Sequence, residues 1–254
     1  MMQRMESFGQ ITWKVTGSTG LLSLGPPPDN LLKEPDFVPP EVLKKWTSSP
    51  DLKGIIIHGQ GKHFSSGADA ENLFRQIASG VNMESRMNEG KAVLDLLGSL
   101  DIPVIAAIQG VCFGGGLEIA LACDIRICSE NTLFAFPEVN IGLMPGLGGT
   151  VRLPGTIRYA EALKMILGGD MINAREALAT GLADRVIPKN ELLPYCLALM
   201  GKMTSDRPLE VIRAVMKALR NSVNLSREDA MAEETRQFCQ LAKKESERRA
   251  SERS

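Results

Sequence analysis

The sequence has almost no net charge, no long apolar run, no paired-cysteine motif and few histidines, and each shortage removes a class of function. Its 29 Lys+Arg against 30 Asp+Glu leave a formal net charge of -1 over 254 residues. That balance argues against electrostatically driven nucleic-acid binding. The only basic run of note, 243–253, is interleaved with glutamates and reads as a solvated helix end. No apolar stretch approaches the roughly 20 residues needed to span a bilayer. The opening Met-Met-Gln-Arg-Met-Glu lacks the apolar core of a secretory signal, so a cytoplasmic protein is expected. Five cysteines, at 112, 123, 128, 196 and 239, are odd in number and form no Cys-x-x-Cys. Neither a disulfide framework nor a zinc site is favoured. Most lie in apolar surroundings as small core residues, and Cys112 has no histidine nearby in sequence to make it a nucleophile. His58 and His63 lack ligand spacing, so no metal site is expected. Ser65 and Ser66 lack a nucleophile-elbow context.

What the chain has instead is an alternation of strands and helices. Residues 10–24 read as two short strands turning at Gly17-Ser-Thr-Gly20, and Gly25-Pro-Pro-Pro28 ends the second. Residues 30–40 are broken by proline and expected to be irregular, and 41–47 suit a short helix. Gly54-Ile-Ile-Ile-His58 and Pro103-Val-Ile-Ala-Ala-Ile108 read as buried parallel strands. Between them, 70–100 carry a helical pattern interrupted near Gly80, with Met87, Val93, Leu94, Leu97 and Leu100 sharing a face. Residues 124–128 alternate as a strand; 150–154, 158–168 and 174–180 suggest helices; Gly181 fits a helix stop. A last strand is expected at 183–188 and helix from Glu191 onward. Pro208 suits a first turn, and Leu209, Ile212, Val215, Met216 and Leu219 make one apolar stripe. The pattern predicts an α/β core over 1–190 and a helical region over 191–254.

Chemistry concentrates in Phe113-Gly-Gly-Gly-Leu-Glu-Ile-Ala-Leu-Ala-Cys-Asp124. A strand ends there, the glycines turn tightly, and a helix over 115–123 starts. Glycine allows a ligand close to bare N–H groups, and a helix N-terminus offers unpaired donors to developing negative charge. Glu118 lies one turn into the helix. A second acid, Glu138, follows in Phe134-Ala-Phe-Pro-Glu138, before Gly142-Leu-Met-Pro-Gly-Leu-Gly-Gly149. Two acids among apolar and glycine-rich segments suggest acid/base chemistry beside an anion-stabilising backbone. The loop Gly59-Gln-Gly-Lys-His-Phe-Ser-Ser-Gly-Ala-Asp69 is not a Walker loop, because Ile56 stands where its first glycine should be.

Together, His63-Phe-Ser-Ser-Gly-Ala-Asp69, Pro103-Val-Ile-Ala-Ala-Ile-Gln-Gly110, Phe113-Gly-Gly-Gly-Leu-Glu118, Ala122-Cys-Asp124, Phe136-Pro-Glu138 and the 142–149 glycine segment resemble the crotonase (enoyl-CoA hydratase/isomerase) superfamily. The likeness runs over about 10–240 in the family's order. It implies a crotonase-type spiral of ββα turns followed by C-terminal helices that pack subunits into trimers, commonly paired into hexamers. It implies an acyl thioester of coenzyme A, or of a related phosphopantetheine carrier, as substrate, with no further cofactor bound. The family's two oxyanion-hole N–H groups fall on Ala68 and Gly115, and its hydratase carboxylates on Glu118 and Glu138. Ser66, Gly67, Asp69 and Ala70 would shape the loop receiving the thioester, although Asp69 equally reads as a structural residue of its turn. Gly114, Phe113, Leu143, Met144 and Leu147 would lie beside the acyl group, a placement that ordinary packing explains equally well. Asp124 is expected to bond backbone groups. The segment 26–40 is shorter than the family's first long helix. Ala70 replaces a larger aliphatic residue and widens the mouth. The chain stops at Ser254, before the aromatic-containing tail of many members.

The leading expectation is a hydratase adding water across the C2=C3 bond of a 2-enoyl thioester. Isomerisation, decarboxylation or thioester hydrolysis would keep the same oxyanion hole. A non-catalytic assembly or RNA-binding role on this fold is the reading from another class, against which stand the near-neutral charge and both glutamates.

Overall fold

A computed structural model describes residues 5–34 and 37–252; the first four residues of the opening segment, 35–36 within the proline-broken stretch, and 253–254, where the chain stops, lie outside the described residues. The first strands, β1 (Met5–Phe8), β2 (Ile11–Thr16) and β3 (Thr19–Leu24), form an antiparallel meander. Helix α1 (Pro40–Thr47) leads into β4 (Gly54–Gly59), which pairs in parallel with β3. Then come α2 (Ala70–Ala78), α3 (Met83–Gly98), β5 (Val104–Ile108), β6 (Val111–Phe113), α4 (Gly115–Leu121), β7 (Ile125–Ser129) and β8 (Leu133–Ala135). Helices α5 (Gly149–Thr156) and α6 (Tyr159–Gly168), strand β9 (Ile172–Asn173), helix α7 (Ala174–Thr180) and strand β10 (Arg185–Ile187) complete the core. Helices α8 (Leu192–Thr204), α9 (Leu209–Asn224) and α10 (Arg227–Ser251) follow.

The main sheet has the order β1-β2-β3-β4-β5-β7-β10, parallel from β3 onward. Its central strands are continuous apolar runs because both faces are covered. Ile55 and Ile57 of β4, with Val104, Ala106 and Ile108 of β5, point into the main core. The alternate residues Ile56, Ile105 and Ala107 pack instead with Leu192, Cys196 and Met200 of α8.

A second layer of short rungs lies beyond the main core. Ser65 pairs in parallel with Cys112, Cys112 with Phe134, and β9 closes this layer antiparallel to β8. Each circuit of the chain therefore runs main-sheet strand, short rung, helix: β4, Ser65, α2 and α3; then β5, β6, α4; then β7 and β8. This is the ββα spiral that the crotonase resemblance implies.

Most expected elements are present, with shifted ends. The helical pattern over 70–100 is two helices broken at 79–82, where Gly80 adopts φ +80°. The helix expected at 115–123 stops at Leu121, with Ala122 as its C-cap. Pro208 caps α9 from just outside rather than lying in its first turn. Of the expected 191–254 region, α8 covers the sheet, while α9 packs Ile212 into the main core and lies against α10. The α9 stripe divides: Ile212 is buried with Leu209 and Met216 against the core, whereas Val215 and Leu219 face outward.

Candidate active site

Three rungs paired side by side bring together whatever follows each of them: 66–69, 113–118 and 135–138. Leu32 fixes the first of these turns. Its N–H donates to the Gly67 carbonyl at 2.9 Å, and its own carbonyl accepts from the Asp69 N–H at 3.1 Å. Those bonds use the groups on either side of Ala68. Because successive peptide groups of an extended chain point opposite ways, the Ala68 N–H faces away from Leu32. The Gly115 N–H opens α4, where first-turn amides have no intrahelical acceptor, and no loop carbonyl takes either N–H among the described residues. A Cβ at Gly115 would lie 4.0 Å from Ala68 N, and one at Gly67 would lie 3.5 Å from Gly115 N. The two free amides thus belong to one wall. Gly114, between rung and helix, adopts φ +48° and ψ -123°, and a Cβ there would meet Glu138 Oε1 at 2.7 Å. Only glycine serves both demands.

These amides border a cavity of about 610 Å³ that also contains Glu118 and Glu138. The acids are held differently. Glu118, in α4, is 2% exposed; its Oε1 accepts N–H bonds from Leu147 and Gly149, both at 2.7 Å. Burial raises its pKa, opposed by those two amides and by the more distant charges of Arg152 and Lys91. Glu138 sits in a 3-10 turn, Pro137–Ile141, and its Oε2 is buried without a hydrogen-bond partner. Its pKa is pushed up to about 7, first by burial and then by the facing Glu118, against a lowering bond from its own backbone. A buried carboxylate without donors is better kept neutral.

Among the sequence candidates, Ala68, Asp69, Gly115, Glu118, Glu138 and Leu143 line this cavity, with Met144 and Leu147. Ser66, Gly67, Ala70, Phe113 and Gly114 lie behind its lining residues. They shape backbone instead. The Ser66 N–H donates to the Asp29 carbonyl at 2.9 Å, Phe113 to Ser65 at 3.0 Å and Gly114 to Ala135 at 3.0 Å, while Gly67 turns at φ +89° and Ala70 opens α2. Phe113 is a rung residue, so its backbone is committed to the second layer. Asp69 caps α2, accepting from the Asn72 N–H at 2.9 Å. Asp124 accepts from the Val104 N–H at 2.8 Å, as expected of a backbone-binding residue. His58 pairs with the Ser23 hydroxyl at 2.8 Å, and His63 Nδ1 accepts from the Val111 N–H at 3.0 Å. Burial raises the Cys112 thiol well above its usual range, which leaves it a core residue.

Sequence reasoning missed the far wall, formed by Leu32, Lys33 and Glu34, by Leu73, Gln76 and Ile77 of α2, and by Met83 and Met87 of α3. A signal existed: α2 carries Leu73, Phe74 and Ile77 yet buries none of its residues. It also missed the amides of Leu147 and Gly149 as the holders of Glu118, although the 142–149 glycine segment was conspicuous.

A ββα spiral followed by C-terminal helices is the architecture of the crotonase fold. The chain belongs to the enoyl-CoA hydratase/isomerase family, whose model matches residues 39–253. It is 39% identical over 183 residues to the fatty acid oxidation complex subunit alpha of Idiomarina loihiensis; that alignment takes in 70% of this chain but 26% of the relative, so the chain matches about a quarter of that protein's length. Among solved structures, DspI of Pseudomonas aeruginosa is 31% identical, covering 92% of this chain and 97% of that one, with a TM-score of 0.81. The enoyl-CoA hydratase of Thermoplasma volcanium GSS1 is 28% identical, covering 92% of each chain, with a TM-score of 0.80.

Proposed function

We propose that the protein is a hydro-lyase that adds water across the C2=C3 bond of a 2-enoyl thioester carried on coenzyme A or a related phosphopantetheine group. The observation that carries this reading is the pairing of two acids in unlike environments beside two unpaired amides in one cavity. The thioester oxygen sits between the N–H groups of Ala68 and Gly115. As water attacks C3, negative charge develops on that oxygen, and preset donors stabilise it more than the neutral ground state; one such donor is worth about 3–4 kcal/mol. Glu118, fixed through Oε1, uses its other oxygen to orient and deprotonate the water. Glu138, which burial lets keep its proton up to about pH 7, helps hold the water and delivers the proton to C2. The coenzyme belongs to the substrate, and no resident cofactor takes part. The apolar cavity wall receives the acyl chain. The outward α9 stripe supports assembly into a trimer or a pair of trimers, and a cytoplasmic site of action goes with this chemistry.

Incubation with a panel of 2-enoyl-CoAs should bleach the conjugated-thioester absorbance, and product mass should rise by one water. No change across the panel would reject hydration. Isomerisation, decarboxylation and hydrolysis use the same amides; unchanged mass, loss of carbon dioxide, or free coenzyme A would identify them. Retention of both acids favours hydration. Failure to bind any acyl-CoA, with tight binding of RNA or a protein, would instead support a non-catalytic role.

A further inference from the structure

A second cavity, of about 470 Å³, lies behind the first and is bounded by Phe8, Ile11, Leu31 and Phe37 among others. Leu32, Lys33 and Glu34 line both cavities, so they form a shared wall one strip of chain thick. Leu32 is fixed by its pairing beside Ala68. Among the described residues, the Glu34 carboxylate is held by side chains from the two helices opposite. Gln76 Nε2 of α2, on the first cavity, donates to it at 3.1 and 3.2 Å. Arg86 Nη2 of α3, on the second cavity, pairs with it at 2.6 Å, while Arg86 Nη1 donates to Glu89 at 2.6 Å.

We propose that Glu34, held by Gln76 and Arg86, is a specificity-determining gate: in place it ends the acyl pocket, and displaced it admits the distal carbons of a long acyl chain to the second cavity. The occupant follows from continuity, since the second space has an apolar side, formed by Phe8, Ile11, Leu31 and Phe37, and shares Leu32 with the acyl wall. The gate can yield because the Glu34 and Arg86 side chains are 44% and 25% exposed, and partly exposed ion pairs add little stability. This proposal rests on the acyl-thioester reading of the site.

The test compares kcat/KM for 2-enoyl-CoAs of four, eight, twelve and sixteen carbons in the wild type, Glu34→Ala and Arg86→Ala. Binding of the saturated acyl-CoAs of the same lengths is measured alongside. The expected result is a rise of about tenfold or more in the ratio of sixteen- to four-carbon kcat/KM in both variants, the scale expected when a pocket takes in one or two further methylenes. Arg86→Lys, still able to pair with Glu34, should keep the wild-type ratio. An unchanged ratio, or a loss equal at every length, overturns the gate. If no enoyl-CoA is hydrated but the length preference in binding shifts in the variants, hydration fails and the gate stands. If no acyl-CoA binds at all, both fall.

Discussion

In the proposed hydration, two glutamates share one proton, and that sharing sets the pH behaviour expected of the site. Before hydration the proton is on Glu138; after it, Glu118 carries one and Glu138 none. These are two forms of the same singly protonated pair, so coupled titration governs both directions. As pH rises through about 7, the value to which burial pushes Glu138, the last proton leaves and kcat/KM should fall. At low pH a second proton neutralises the base and kcat/KM should fall again. Because the equilibrium of water addition does not itself depend on pH, the hydration and dehydration profiles should superimpose. A kcat/KM that keeps its full value well above pH 7 would refute the shared-proton scheme. Glu118→Gln and Glu138→Gln should each lower kcat by roughly 10²–10⁴-fold while leaving circular dichroism intact. Glu138→Gln should also erase the limb near 7. Normal turnover in either variant rejects its role.

At the level of elements, the site depends on a strained glycine joining rung β6 to helix α4. Gly114→Ala should destabilise the fold by about 1–3 kcal/mol, the usual range for a side chain forced into a sparsely populated backbone region. It should also depress turnover, because the added methyl meets Glu138 Oε1 at 2.7 Å and pushes the acid out of the cavity. Denaturant unfolding and steady-state kinetics read the two effects separately; a variant as stable and active as wild type would show that the turn relaxes freely. The sequence made this turn and both acids legible, because glycine runs and carboxylates inside apolar stretches are locally anomalous. It hid the rungs: β6 and β8 have three residues each and β9 has two, too few for a period to show. It also hid Leu32, whose pairing with Ala68 links residues far apart in the chain and follows no local pattern. The far wall was legible only as apolar residues on α2 and α3; that they face a cavity rather than a packed neighbour is set by the fold.

For the whole molecule, one unanswered surface among the described residues is the outer side of the C-terminal helices. Val215, Leu219 and Val223 recur every four residues along α9 and are 51%, 61% and 83% exposed, so a helix already covering the core with Ile212 presents a second apolar edge to water. Met231 and Phe238 of α10 are exposed as well. Single exposed apolar side chains are ordinary, but an aligned row on packed helices marks a contact surface. A second copy of the chain is the partner the assembly reading requires, and a closed ring would bury the same row in every subunit. Leu219→Asp with Val223→Asp would place charges in that contact, where an unpaired buried charge is costly, while leaving the core face of α9 unaltered. Sedimentation equilibrium at micromolar concentration should find the wild type as a trimer or hexamer and the double variant as a monomer. A monomeric wild type, or a variant of unchanged mass, would remove the assembly from the proposal without touching the amides or the acids, which all lie within one chain.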